Sequence, residues 1–267
     1  MAAMKLAAVG EICEDLYLPA GVGRPGGIAS NFAFHAARAG AHALLFGALG
    51  DDEAGHRLAE ALAVSPVDAA GVRRIAGRST IQRLRVEAGE RVFCGYEAGV
   101  AEAWSLGMED REQLSSCEAI ACSDGLRSLL EACLAIGPPV VCDFSRDTDG
   151  NDPQRPEQWL RPWLDRLAIA FVGGELSFEG RLEALGRTTD TLIVLTAGPH
   201  GALAWHRGHA WSCPSAAETV VDTNGCGDAF QAGFTVAWAQ GADVEEALAA
   251  GASAAAFVAG AWGAQPR

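Results

Sequence analysis

Residues 119–142, AIACSDGLRSLLEACLAIGPPVVC, carry the pattern that decides the fold. Two short apolar runs, Ala119–Ala121 and Val140–Cys142, flank a stretch, 125–136, whose apolar residues recur at helical spacing. The same alternation extends in both directions. Further runs lie at Leu6–Val9, Ala43–Phe46, Ala168–Val172 and Leu192–Leu195, and helical spacing recurs at 28–39, 52–63, 157–166 and 177–186. Runs this apolar, alternating with helices, predict an α/β fold whose mostly parallel sheet is covered by helices on both faces. After residue 196 the pattern changes. Ala202–Trp205 and Ala210–Ser212 flank the turn Arg207-Gly208 and predict a hairpin at the sheet edge, followed by helices over 225–239 and 243–259. Two segments stand outside the alternation, 16–25 (LYLPAGVGRP) and 79–97 (STIQRLRVEAGERVFCGYE). They predict a small β-sheet standing off the rest, with the character of a lid.

The 267 residues fit a single domain, 1–267, carrying that accessory sheet; 49% hydrophobic and 20% charged residues predict a sizeable core. A net charge of −14 with no basic cluster excludes nucleic acid as the expected partner. The eight cysteines form no CxxC pair and lie mostly in apolar runs, so they read as reduced core residues. The six histidines show no metal-ligand spacing. The N-terminal MAAMKLAAVGE lacks the apolar core of a signal peptide, and the Ala/Gly-rich stretch 245–262 reads as a buried helix rather than a membrane span. The expected location is cytoplasmic. No Walker A string is present, which excludes a P-loop kinase as far as motifs can. Gly21-Val22-Gly23-Arg24-Pro25-Gly26 matches GxGxxG, but it starts about ten residues beyond the first strand and contains a proline. A dinucleotide site is therefore not expected there.

The most informative string for chemistry is Val220-Val221-Asp222-Thr223-Asn224-Gly225-Cys226-Gly227-Asp228-Ala229-Phe230. A β-like segment enters a Gly-x-Gly-Asp turn and a helix follows at once. Main-chain N–H groups converging at a helix N-terminus suit an anion. Asp228, in the first helical turn, is placed to accept a proton beside them. The alternative is that Asp222 and Asp228 are only helix-start acids around a turn.

Asp-Thr-x-Gly-x-Gly-Asp-x-Phe resembles the C-terminal signature of the ribokinase/PfkB carbohydrate kinases. That resemblance implies a ribokinase-like fold, Asp228 as catalytic base, and an anion hole at Gly225, Cys226 and Gly227. Cys226 stands where relatives more often have alanine; at a helix start it could also be a reactive thiol. Pro25-Gly26-Gly27-Ile28-Ala29-Ser30-Asn31 is similar to the N-terminal signature and implies that Gly26, Gly27 and Asn31 meet the sugar. Asp15, after the first strand, implies a hold on sugar hydroxyls, with Glu14 beside it expected to be solvated. Gly47–Gly55 resembles a structural turn capped by Asp51 or Asp52. Thr196-Ala197-Gly198-Pro199-His200-Gly201 resembles the nucleotide loop, implying ATP contacts at Thr196, Gly198, Gly201 and Gly227. The family's Asn-x-x-Glu is altered: Val172 replaces the asparagine, leaving Glu175 for Mg²⁺. Asp222 and Asn224 stand where relatives bind a monovalent cation such as K⁺.

Arg91-Val92-Phe93, Tyr96, Gly99-Val100, Asp143-Phe144-Ser145 and Gly260-Ala261-Trp262-Gly263 resemble the fructoselysine 6-kinase subgroup, with Arg91 expected at the substrate. The resemblance therefore implies an ATP-dependent kinase for a terminal hydroxyl of a ketose-type sugar, with a fructosamine as the first expectation. Fructokinase-, ribokinase- or nucleoside-kinase-like substrates, or a non-catalytic binding protein on the same fold, are the alternatives. A homodimer through the lid is the expected assembly.

Overall fold

The computed structural model describes residues 4–144 and 155–266. The chain begins β1 (Lys5–Val9), β2 (Cys13–Tyr17), β3 (Val22–Gly26), α1 (Ile28–Arg38), β4 (His42–Gly50), α2 (Glu53–Ala63), β5 (Asp68–Ile75), β6 (Thr80–Glu87) and β7 (Glu90–Glu97). It continues α3 (Met108–Leu114), β8 (Ala119–Ser123), α4 (Arg127–Leu134), β9 (Val140–Asp143), α5 (Arg155–Leu160), β10 (Ile169–Gly173), α6 (Glu179–Gly186) and β11 (Leu192–Thr196). The hairpin β12 (Ala202–His206) and β13 (His209–Cys213) precedes α7 (Cys226–Ala239) and α8 (Val244–Ala259).

Nine strands form one sheet in the order β13-β12-β11-β10-β9-β8-β1-β4-β5. The strands from β11 across to β5 pair in parallel, and only the β12–β13 hairpin adds antiparallel ladders. Period-two alternation sends neighbouring side chains to opposite faces. Leu6 and Ala8 join one core with Phe32, Leu58, Phe230, Phe234 and Leu248, whereas Ala7 and Val9 join a second core with Leu114, Leu130, Leu160 and Leu182. Thus α1, α2, α7 and α8 cover one face and α3 to α6 the other, as the sequence predicts.

The remaining strands form a four-stranded sheet, β3-β2-β6-β7. Its β2–β3 and β6–β7 pairs are antiparallel, and β2–β6 is parallel. The first of its hairpins starts at Cys13 rather than residue 16, because the chain passes from the end of β1 into β2 across only three residues. The β6–β7 turn, Ala88-Gly89, has positive φ at both positions (51° and 88°), and so does Arg207-Gly208 (48° and 84°). Both are the two-residue hairpin geometry whose twist matches the strands.

Glu14 is a correction. It is only 4% exposed, and Arg57 of α2 clamps its carboxylate with two hydrogen bonds, Nε to Oε1 at 2.7 Å and Nη2 to Oε2 at 2.9 Å. Strand β2 is covered by α2 at this point, so the acid is paired instead of solvated.

The chain leaves β1 toward β4 on one side and reaches β8 on the other, so the strand order reverses beside β1. Ligands in open parallel sheets bind beyond the carboxyl ends of strands at such a reversal. Glu11, Asp143 and the small sheet all lie at that end.

Candidate active site

Helix α7 starts at a tight turn. Its N-cap, Gly225, has φ 80°, and a Cβ there would stand 2.5 Å from the Cβ of Ala264. Only glycine fits both the left-handed backbone and the crowding, which fixes where the first N–H groups of α7 point. At Gly227 an added Cβ would meet nothing within 4 Å, so that side of the turn is open.

Asp222 braces the loop from below. It is fully buried and accepts from the Tyr17 hydroxyl at 2.6 Å, the Gly263 N–H at 2.9 Å and the Asn224 N–H at 2.9 Å. Asn224 in turn donates to Asp15 Oδ2 at 2.7 Å and approaches the Tyr17 oxygen at 3.2 Å. The sheet strand β2, the loop before α7 and the C-terminal segment are thereby tied in one buried network.

Asp228 faces the cleft, half-buried, and accepts from the Asn31 side-chain amide at 2.7 Å. Gln265 donates to Asn31 Oδ1 at 3.0 Å, which sets the amide so that its nitrogen faces Asp228. Burial, then the charge of Asp143, raises the Asp228 carboxyl to about 7; the Asn31 bond and Arg91 oppose the shift. Burial likewise raises Asp15 to about 6, against the bonds from Asn224 and Cys13. A carboxylate near neutrality beside main-chain donors is suited to take a proton from an attacking hydroxyl. Cys226 does not behave as an activated thiol: burial pushes it up to about 12. The helix N-terminus would lower it, but the loss of solvation wins.

The glycine pair forms the floor. Gly27 has φ 96°, and its Cβ would strike the Glu11 carbonyl at 2.6 Å; a Cβ at Gly26 would strike the Asp15 carboxylate at 2.2 Å. Above, the β6–β7 hairpin touches the α7 loop. The Thr223 N–H donates to Gly89 O at 3.0 Å, the Arg91 N–H donates to Thr223 Oγ1 at 3.0 Å, and that hydroxyl donates to Glu90 at 3.2 Å. Arg91 thus stands over the loop, where its charge reaches Asp15, Cys226 and Asp228.

Thr196, Gly198 and Gly201 lie together at the end of β11 and in the turn to β12, where Gly201 takes φ 85° and Ala197 N–H bonds to Gly201 O at 2.8 Å. Val172 is fully buried, and Glu175 is exposed beside it with Ser177 at 3.5 Å. The position therefore supplies one carboxylate and no amide. No group of three or more metal-ligating side chains occurs among the described residues.

Sequence reasoning left out Tyr17, Gln265 and Asp143 as contributors to the site. Tyr17 reads as a strand residue and Gln265 as a tail residue, and nothing local marks either; each acts through a partner about 200 residues away. Ser145, in a quoted subgroup string, lies outside the described residues. The GxGxxG string falls in β3, with no preceding parallel strand to make a dinucleotide turn.

The profile of the pfkB family carbohydrate kinases matches residues 5–136 and 171–267. The chain is 28% identical to fructoselysine 6-kinase of Escherichia coli strain K12 over 94% of this chain and 95% of that one. It is 27% identical to the fructosamine kinase FrlD of Bacillus subtilis strain 168, over 98% and 93%. Among solved structures, Arabidopsis thaliana ribokinase complexed with ribose and ATP superposes with a TM-score of 0.78 at 22% identity, covering 100% of this chain and 95% of that one. The fold is ribokinase-like, and the chain belongs to the pfkB family of carbohydrate kinases, phosphotransferases that act on a sugar hydroxyl.

Proposed function

We propose that the protein transfers the γ-phosphoryl group of ATP to the terminal hydroxyl of a fructosamine, a ketose joined to an amine. The carrying observation is Asp228: a carboxylate raised to about 7, aimed by Asn31, in the first turn of the helix that offers the main-chain donors. Asp228 takes the proton from the hydroxyl, the oxygen attacks the γ-phosphorus, and the bond to the β–γ bridging oxygen breaks as ADP leaves. Gly225, Cys226 and Gly227 supply N–H groups for the charge that spreads over the phosphoryl oxygens. Gly26, Gly27, Asn31, Asp15 and Arg91 hold the sugar, and Thr196, Gly198, Gly201 and Gly227 line the nucleotide side. The small sheet acts as the lid that keeps water from the phosphoryl group.

ATP enters as its Mg²⁺ complex, and the cation neutralises charge on the phosphates. Glu175 is the side chain that would meet it through water. Asp222 and Asn224 are engaged by Tyr17, Gly263 and Asp15, so their role in this reading is to brace the loop, and no step is assigned to a monovalent cation. The fructosamine assignment draws on two relatives of that activity matched almost end to end. A homodimer through the exposed edges of the lid and a cytoplasmic location complete the proposal; no described helix is long and apolar enough to cross a membrane.

The test is ADP release across fructoselysine, 1-amino-1-deoxyfructose, fructose, ribose and a nucleoside, with the phosphorylated carbon read by NMR. The highest kcat/KM on a fructosamine, with phosphate on its terminal carbon, is expected. A preference for ribose or a nucleoside would refute the substrate class.

A further inference from the structure

The acids at the base of the small sheet are treated unequally. Glu14 is clamped by Arg57, and Glu97 is paired with Arg83 at 2.6 Å and Arg78 at 3.5 Å. Among the described residues Glu11 has no such cation. Its carboxylate accepts from the Tyr96 hydroxyl of β7, and among the described residues no basic side chain forms an ion pair with it. It is nevertheless enclosed enough that burial raises its pKa, against the pull of Tyr96 and Cys13.

Its position is defined by neighbours. The Glu11 main chain lies against Gly27, and Cys13 feels the charges of Asp15, Glu11 and Asp228, so the three acids surround one residue. Asp228 projects from α7 toward Asn31, whereas Glu11 projects from the end of β1 toward β7. The two carboxylates therefore bond to different elements, Asp228 to α1 and Glu11 to β7, near the Gly26-Gly27 turn. Charge bookkeeping there is negative, with Arg91 the cation that reaches Asp15 and Asp228. A neutral sugar adds no cation to the Glu11 charge, which has the Tyr96 hydroxyl as its donor; a positive ligand does.

We infer that Glu11 is the specificity residue for a protonated amine on the substrate, held at the end of the sugar opposite the hydroxyl that Asp228 serves. The inference rests on the proposed kinase reading and sharpens it: the selected feature is the ammonium itself, before any amino acid beyond it. Tyr96 is a positioning residue that turns the carboxylate toward the amine. A ketose carrying its amine at one terminal carbon and its phosphorylated hydroxyl at the other would offer one group to each carboxylate.

The test compares 1-amino-1-deoxyfructose with fructose, which differ by the amine alone, in the native enzyme, Glu11→Gln and Glu11→Asp. The ratio of kcat/KM for the amine over the ketose should fall roughly tenfold or more in Glu11→Gln, chiefly through KM. It should recover in part in Glu11→Asp, which keeps the charge. An unchanged ratio in Glu11→Gln overturns the inference while leaving the kinase reading intact. If the native enzyme releases no ADP with either compound, the kinase reading fails separately. Thermal shift then decides Glu11: stabilisation by the amine but not by fructose, lost in Glu11→Gln, supports it, and equal shifts overturn it.

Discussion

Around Asp228 and Asp15 the cleft is held by side chains: Asn31, Asn224, Tyr17, Asp222 and Gln265 bond to one another at 2.6–3.2 Å. Around Thr196, Gly198 and Gly201 the structure offers mainly backbone, and the Thr196 hydroxyl makes one long contact, 3.5 Å, to the Val172 carbonyl. The proposed sugar side is thus organised before a ligand arrives, by residues that cannot be exchanged singly without stranding a buried partner. The proposed nucleotide side relies on groups that every residue carries, so its side chains are expected to be individually dispensable.

The sharpest break of that contrast is Asp228→Asn. Turnover should fall at least ~10³-fold, with ATP binding by calorimetry preserved; a loss under tenfold would remove Asp228 as the base. The same substitution should stabilise the protein. The folded-state pKa of Asp228 lies above its unfolded value, so its favourable contribution is complete at acid pH and is lost as pH rises through about 7. Asp228→Asn should therefore melt roughly a few degrees higher at pH 8, and the gap should close on acidification toward pH 4. Equal melting temperatures at pH 8 would mean that the charged carboxylate is well solvated.

Next in size is the pH profile. For the free enzyme, kcat/KM for the sugar should rise about tenfold per unit below the Asp228 pKa and level off above about 7. A plateau extending down to pH 5 would contradict the raised carboxylate. Arg57→Ala should cost about 2–3 kcal/mol in unfolding experiments, because it strands Glu14 inside β2; a cost under about 1 kcal/mol would show water reaching that acid. The smallest effect is expected on the other side of the cleft. Thr196→Ala should raise the KM for ATP less than about fivefold and leave kcat within about twofold. A large loss there would erase the contrast between the two sides.

Much of the framework is legible in sequence because it depends on local periodicity. The alternation of apolar runs with helical spacing predicts β1, β4, β8 to β11 and the covering helices. Strand β5 was not readable: DAAGVRRI lies at the sheet edge, is mostly half-buried and lacks a continuous apolar run. Helix α3 has seven residues, with Asp110 and Leu114 as its buried positions, too few to set a period. The glycine turn before α7 is legible because backbone geometry demands particular residues there. Its supports are not. Tyr17, Gln265 and the Glu14–Arg57 pair acquire their meaning from distant segments, and two adjacent acids give no local sign that both are buried.

The Ala88-Gly89 turn has a consequence for the return half of the cycle. Its contacts with Thr223 are made by the same loop that leads into α7. In the proposed reading, product leaves after the hairpin lifts, and lifting it breaks a few hydrogen bonds, each with a net value of about 1 kcal/mol. Gly89 also rests on Val220, where an added Cβ would come within 3.1 Å of the valine. The grip is therefore weak enough to open often and close enough to fix one docked position. A tighter latch would hold the phosphorylated product; a looser one would release the sugar unreacted. In the proposed reading, the tempo of turnover is thus set in part by a two-residue bend that touches the loop before α7.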